Sequence, residues 1–542
     1  MNLITDPWIP IIRKSGKADI VCPWQIAEVE DPIVALSIPR PDFHGAMVQF
    51  LIALLQTAYM RERERQWQDL YKRPPQEDAL RAAFDRYRHV FDLDGDGPRF
   101  MQDIDPTLDK MAPRVISSLL IDEPGEKSLK DNKDFFKRAG TVSHMSLSYA
   151  TMALYTLQLN APAGGAGYRT SLRGGGPLTT LVIPKDKDLK ELTLWQLLWL
   201  NVMSEEALGN LTTTAKDADD CEEHHIFPWM YSTRTSEKGG RTETTMPVDC
   251  DWRQVYWAMP SRVRLQFPAV QARCGVSFAE TDCVAGYVTK NYGANYVGWR
   301  HPLSPHYQSK GDWLPIHPQP GGMSYRHFLG WTLGNAGSKN GIETAQIVSL
   351  YRRVRAGYDV SLWAFGYDMD NAKARGWQEA VMPLFVFAED ESGDKTKALQ
   401  SIVTDILSAT EEVASNLRSC VRNAWKVERG DLSFVVTAFW QETETAFYHL
   451  VKDIYTRVNS VPANPADDLR KKWYGIICKK TEEIFDSSVM TSDITFEDTE
   501  KIVRSRQNLR GYNRKKTILN PLHIPIESKA GAKKNKKKEV LS

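Results

Sequence analysis

Up to residue 388 the apolar positions of this chain change period repeatedly, and beyond it they hold a single helical period. Ile9, Ile11 and Ile12 lead into Lys14-Ser15-Gly16-Lys17, and Ile20 and Val21 follow, a pattern that predicts a hairpin within residues 2–22. From residue 42 the spacing becomes helical: Phe43, Met47, Phe50, Leu51, Leu54 and Leu55 share one face, with Asp42 a candidate N-cap behind Pro41. A second helix is predicted over 143–159, where Leu147, Ala150, Leu154 and Leu157 line up. LTTLVIP (178–184) reads as a buried strand and LTLWQLLWLNVM (192–203) as a buried helix. Between 205 and 330 prolines and aromatics interrupt every period, so little regular structure is expected there, although 286–305 alternates like a strand.

An acidic stretch, 388–394, ends this regime. Leu399, Ile402, Val403, Ile406, Leu407, Val413, Leu417, Val421 and Ala424 then form one apolar stripe. Three more follow, carried by Phe447, Leu450, Val451, Ile454 and Val458, by Leu469, Trp473, Ile477, Ile484 and Phe485, and by Ile502, Val503, Leu509 and Tyr512. Four amphipathic helices with short loops imply an antiparallel bundle. The expected fold is therefore α+β: a large mixed, loop-rich domain over 1–388, a four-helix bundle over 389–525, and a Lys-rich disordered tail over 526–542.

Composition changes this picture little. The net charge of +1 means that any nucleic-acid surface must be a local patch. Seven cysteines without a C-x-x-C, an N-terminus lacking a basic and apolar leader pattern, and apolar runs too short to span a bilayer point to a cytoplasmic protein with no membrane partner.

Candidate chemistry concentrates in NAPAGGAGYRTSLRGGGP, residues 160–177, where glycines allow close backbone approach and Arg169 and Arg173 add charge. The spacing fits neither a P-loop nor a dinucleotide fingerprint, so two readings stand: a structural multi-turn loop, or a nucleic-acid or phosphate contact. Lys127, Lys130, Lys133, Lys137 and Arg138 surround Phe135 and Phe136, a mixture that either grips unpaired nucleic acid or forms a solvated loop. Asp92, Asp94, Asp96, Gly97 and Asp103 fall at EF-hand spacings, but Pro106 argues against the second helix and a polar turn is expected. Cys221, His224 and His225, with Cys250, Cys274 and Cys283, lack the paired spacing of a zinc site, so no metal is expected. Asp368 and Asp370 could hold a metal or act as acid and base, yet a turn capping a following helix is the simpler reading. The last predicted helix is cationic, with Lys501, Arg504, Arg506, Arg510 and Arg514 uninterrupted by acids.

In order, NLITDPWIP, the glycine-rich stretch, WAMPSRVRL, YVTKNYGANYVGWRHPLSP, GYDMDNAKARGW and the C-terminal helices resemble the large subunit of the type I-E CRISPR surveillance complex Cascade, the CasA family. That resemblance implies a non-catalytic subunit that recognises the protospacer-adjacent motif (PAM) in double-stranded target DNA, opens the duplex, and helps recruit a helicase-nuclease. Its other implied partners are the remaining Cascade subunits and the guide RNA, with no cofactor. By motif, the family's glycine loop falls on Ala163, Gly164, Gly165, Ala166 and Gly167, its lysine finger on Lys290 and its strand-separating wedge on Asn371. The loop with Lys130, Lys133, Phe135 and Phe136 resembles the one that grips the guide's 5′ handle, and Arg169, Arg173, Arg506, Arg510 and Arg514 are candidate nonspecific DNA contacts. The alternative is a metal-dependent nucleic-acid hydrolase built on Asp368 and Asp370 or on Cys221, His224 and His225.

Overall fold

The computed structural model describes all residues except 126–129, 131–139, 166, 186–191, 210–222, 238–243, 335–340, 356, 371, 426–430, 462–464, 491–498 and 527–542. The chain forms two compact units, Met1–Gln319 with Ser338–Met382, and Pro320–Gly337 with Pro383–Ser542.

In the first unit the predicted hairpin forms: β1 (Ile9–Arg13) pairs antiparallel with β2 (Ala18–Val21), Ile9 opposite Val21 and Ile12 opposite Ala18. β3 (Ile33–Leu36) covers the other edge of β1. The helix α1 (Pro41–Ala58) follows and is buried along most of its length, because its apolar residues occupy more than one face. Arg40, not Asp42, is its N-cap. Proline suits the first helical position, where its missing N–H costs nothing, and that moves the cap one residue back from the proline. Asp42 instead lies buried, accepting from the Arg40 guanidinium and the Tyr367 hydroxyl (2.6 Å). Phe50 of α1 meets Trp8, Phe91, Phe100, Tyr155 and Trp257 edge-on, at centroid separations of 5.5 to 6.2 Å, the arrangement that aromatic quadrupoles favour.

The helix expected over 143–159 is α2 (Leu147–Asn160). It starts late because Met145 and Ser146 pair as a strand with Val284 and Cys283, after which the Ser146 hydroxyl accepts from the Tyr149 N–H. LTTLVIP becomes β4 (Thr179–Pro184), while the next stretch is helical only over Leu194–Trp199. The irregular middle contributes two strands that matter below, β5 (Arg262–Leu265) and β6 (Gly286–Lys290), paired antiparallel. β7 (Val360–Asp370) and β8 (Lys373–Pro383) complete a sheet in the order β8-β7-β4. The Asp368–Asp370 segment therefore enters a hairpin and caps no helix, because Lys373 to Pro383 continues as a strand paired with β7 although only Trp377 and Val381 in it are strong strand formers.

The second unit holds α3 (Asp394–Trp425), α4 (Ser433–Ser460), α5 (Asp467–Met490) and α6 (Thr499–Tyr512), with α3 packed on the other three. Residues 320–337 join this unit from the middle of the chain: Tyr325 stacks on Phe447 at 4.2 Å and its hydroxyl pairs with Thr443 at 2.7 Å. No periodicity marks that excursion.

Candidate nucleic-acid interface

Residues 160–177 are a loop built on itself. The Ser171 N–H donates to Ala161 O (3.0 Å) and closes its base, and Gly176 N–H donates to Asn160 O, the last residue of α2. At the tip, Tyr168 N–H turns back to Gly165 O (2.9 Å), with Gly165 at φ +74° and Gly167 at φ +85°, a region that costs non-glycine residues about 1–2 kcal/mol each. Ala163, Gly164 and Gly165 are exposed, so the tip presents backbone to solvent. Ala166 lies outside the described residues.

Gly167 carries the next connection. Its carbonyl accepts from Tyr292 N–H (2.8 Å), and a Cβ added there would lie 2.8 Å from the Tyr292 ring. Tyr292 is itself left-handed (φ +60°), and at Gly293 a Cβ would collide with the Pro260 carbonyl. These constraints turn the chain sharply after β6 and hold Lys290, the last residue of that strand, beside the glycine loop. Ser236 ties the two from behind: its hydroxyl donates to Gly293 O (2.7 Å), accepts from Arg169 Nε (2.7 Å), and its N–H donates to Tyr292 O.

Lys290 is not a free cation. Its Nζ donates to Thr107 Oγ1 (2.9 Å) and to Asp105 Oδ2 (3.3 Å). Across the antiparallel pair Lys290 stands directly opposite Arg262, whose guanidinium reaches Asp105 Oδ2 (2.5 Å) and Asp103 Oδ2 (2.5 Å). Burial alone would raise the Asp105 carboxyl, but hydrogen bonds from the Thr107 N–H and hydroxyl, Arg262 and Lys290 outweigh it and hold the group well below the usual carboxylate range.

The end of the loop supports the β7–β8 hairpin. A Cβ on Gly176 would meet Met369 at 2.6 Å and Tyr367 at 2.8 Å, and one on Gly366 would meet Pro177 O at 2.5 Å, so loop and hairpin pack backbone to backbone. Glycine loop, lysine strand and hairpin are thus brought together by one stretch. Asn371, between β7 and β8 in the sequence, lies outside the described residues, as do Lys133, Phe135, Phe136 and Cys221; Lys130 is described and exposed.

Several expected roles change. Arg173 is buried, 3% exposed, and donates to Gln49 Oε1 (2.8 Å), Thr179 Oγ1 (2.9 Å) and Ser304 Oγ (3.1 Å). It is a core strut and not a DNA contact, and desolvation pushes its guanidinium down to about 10. Arg506 makes a bidentate pair with Asp486 (2.7 Å to each oxygen) and Arg510 one with Glu482 (2.9 and 2.6 Å); the acids absent from α6 beyond Lys501 are supplied by α5. Arg514 follows α6 and is exposed. Asp368, 5% exposed, accepts from Arg375 Nε and Nη2 (3.1 and 2.7 Å), and Asp370 lies 3.8 Å from the same guanidinium. His224 and His225 share a short helix, Glu223–Ile226, and burial raises the Cys250 thiol to about 11. Asp92 pairs with Asn2 whereas Asp103 turns to Arg262, so the EF-hand spacing gathers no ligand set. Among the described residues no three acidic, His or Cys side chains converge as a metal site, and no helix is long and apolar enough to cross a membrane.

Sequence reasoning missed Asp105, Thr107, Arg262 and Ser236, which stand far from their partners along the chain. It also missed Arg114, exposed and 3.5 Å from the Tyr168 hydroxyl at the loop tip.

This fold, a loop-rich mixed unit and a helical unit, is that of CRISPR surveillance subunits. CasA of Thermus thermophilus is 17% identical with a TM-score of 0.67, covering 95% of this chain and 99% of that one. Thermobifida fusca Cse1 is 17% identical with a TM-score of 0.66, covering 96% and 98%. A chain of a CRISPR RNA-guided surveillance complex is 15% identical with a TM-score of 0.66, covering 95% and 99%. The chain belongs to the CRISPR-associated protein Cse1 family, whose model matches residues 2–484, and is a type I-E Cascade large subunit.

Proposed function

We propose that this chain recognises the PAM in double-stranded DNA and helps open the duplex beside it, as a non-catalytic subunit of an RNA-guided complex whose partners are the other Cascade subunits, the guide RNA and a helicase-nuclease. The observation that carries this reading is the bond from Tyr292 N–H to Gly167 O, which couples an exposed glycine backbone to the strand ending in Lys290. A bare backbone approaches a groove closely, and an ammonium beside it donates to the acceptors that a minor groove presents. Asn371, which falls between β7 and β8 in the sequence, is the candidate wedge.

The hydrolase reading is weaker. The Arg375 guanidinium reaches Asp368 at 2.7 Å and Asp370 at 3.8 Å, so a cation already stands where a metal would, and it offsets one of the two negative charges.

Replacing Lys290 by Ala in the assembled complex is expected to weaken PAM-duplex binding by about 1–3 kcal/mol while assembly persists. Unchanged affinity removes Lys290 from the site. With Asn371→Ala, PAM-duplex binding should persist while fluorescence of a base analogue beside the PAM reports impaired opening.

A further inference from the structure

Lys290 and Arg262 occupy directly opposed positions on one face of an antiparallel pair, where two like charges repel. Asp105 lies between them and gives one oxygen, Oδ2, to both. The two bonds differ: Arg262 is 4% exposed and holds Oδ2 at 2.5 Å, whereas Lys290 is 31% exposed and holds it at 3.3 Å. The other oxygen, Oδ1, accepts from the Thr107 N–H at 2.9 Å. Asp105 therefore stays fully engaged if Lys290 leaves, and only the looser, solvent-facing bond has to break.

We infer that Asp105, with the Thr107 hydroxyl, is an internal competitor for Lys290: it parks the ammonium and sets the threshold that a nucleic-acid acceptor must exceed to draw the lysine out. This rests on the reading of Lys290 as a DNA contact. A ligand gains the Lys290 contact only to the extent that its acceptors beat a carboxylate and a hydroxyl. Phosphates of bulk DNA, met in water and screened by salt, do so poorly, and well-placed base acceptors in a closed groove do so well. Parking thus lowers occupancy on DNA in general. Because release is a fixed cost, its removal benefits most the duplex on which Lys290 is fully engaged.

The test uses the assembled complex and short duplexes with and without the PAM. Asp105→Asn keeps the hydrogen-bond acceptor and removes the charge. We expect about fivefold tighter binding of the PAM duplex, with an equal or smaller gain for the duplex without it. Asp109→Asn is the control for simple loss of negative charge, since Asp109 is 69% exposed and pairs with Arg264, not Lys290. Thr107→Val, which keeps the backbone and removes the second tether, should give a smaller gain in the same direction even if Asp105→Asn lowers the melting temperature.

In a Lys290→Ala background the gain from Asp105→Asn should collapse to that of Asp109→Asn. If the gain persists undiminished without Lys290, or if neither Asp105→Asn nor Thr107→Val tightens PAM-duplex binding, Asp105 merely neutralises a cross-strand cation pair and the inference is overturned. Should Lys290→Ala alone leave PAM-duplex affinity intact, the underlying reading of Lys290 fails first, an outcome recognisable without any Asp105 variant.

Discussion

Two cation sites, one in each unit of this protein, are held in different ways. In the helical unit Arg506 and Arg510 are each clasped by carboxylates of the neighbouring helix, Asp486 and Glu482, in bidentate geometry. In the mixed unit Lys290 shares a single carboxylate oxygen with a better-held arginine. The arginines hold both oxygens of a carboxylate, although Glu482 also lies 3.5 Å from Arg506, whereas Lys290 holds one oxygen at 3.3 Å, the looser grip that our proposal requires of a cation lent to a ligand. The backbones differ in parallel: the helical unit is held by repeating apolar contacts, and the loop site by backbone bonds among residues that only particular conformations allow.

This contrast is most easily broken through the helical core. Phe447 is fully buried and stacks on Tyr325. Phe447→Ala should cost about 3–5 kcal/mol in denaturant unfolding of the second unit. An equally large direct effect on DNA affinity in the folded protein would mean that the two kinds of region are not separable.

Arg173 comes next. Arg173→Met removes the donor shared by Gln49, Thr179 and Ser304, leaving Gln49 Oε1 only the 3.3 Å bond from the Thr179 hydroxyl, and unfolding should show a loss of about 3 kcal/mol. Were Arg173 a DNA contact instead, the variant would unfold normally and show a shallower salt dependence of binding.

Gly167→Ala and Gly165→Ala sharpen the contrast within the loop. Both positions have positive φ, but a Cβ at Gly167 meets the Tyr292 ring whereas one at Gly165 meets nothing within 4 Å. We expect about 2 kcal/mol of strain and contact cost at Gly167 against about 1 at Gly165, measured by thermal unfolding. PAM-duplex binding should fall more steeply in the first.

The smallest effect is expected from Arg506→Gln, which opens a pair about 30% exposed on each side. It should change stability by no more than about 1 kcal/mol, and the nonspecific DNA affinity of the complex should scarcely move.

The sequence carried the parts of the fold that obey a period. The β1–β2 hairpin and the stripes of α3 to α6 were legible because each residue's environment repeats along its own element. The position of α2 was legible to within a few residues, and its start was not, because Met145 and Ser146 answer to strand partners far along the chain. Arg173 was misjudged because a lone arginine beside glycines usually faces water; only the fold brings Gln49, Thr179 and Ser304 around it. The site was half legible. Family motifs pointed to residues 163–167 and Lys290, but nothing in either motif signals Asp105, which meets the lysine only because the register sets Lys290 against Arg262.

The central claim is that the glycine loop and Lys290 form one DNA-binding site. A double-mutant cycle on PAM-duplex affinity of the assembled complex, with Gly167→Ala and Lys290→Ala alone and together, measures it directly. The account predicts that each change weakens binding and that the pair costs less than the sum, by about 1 kcal/mol or more, because moving the loop also displaces Tyr292 and the lysine strand. Strictly additive losses, or a Lys290→Ala complex that binds the PAM duplex as well as the unaltered one, would contradict it.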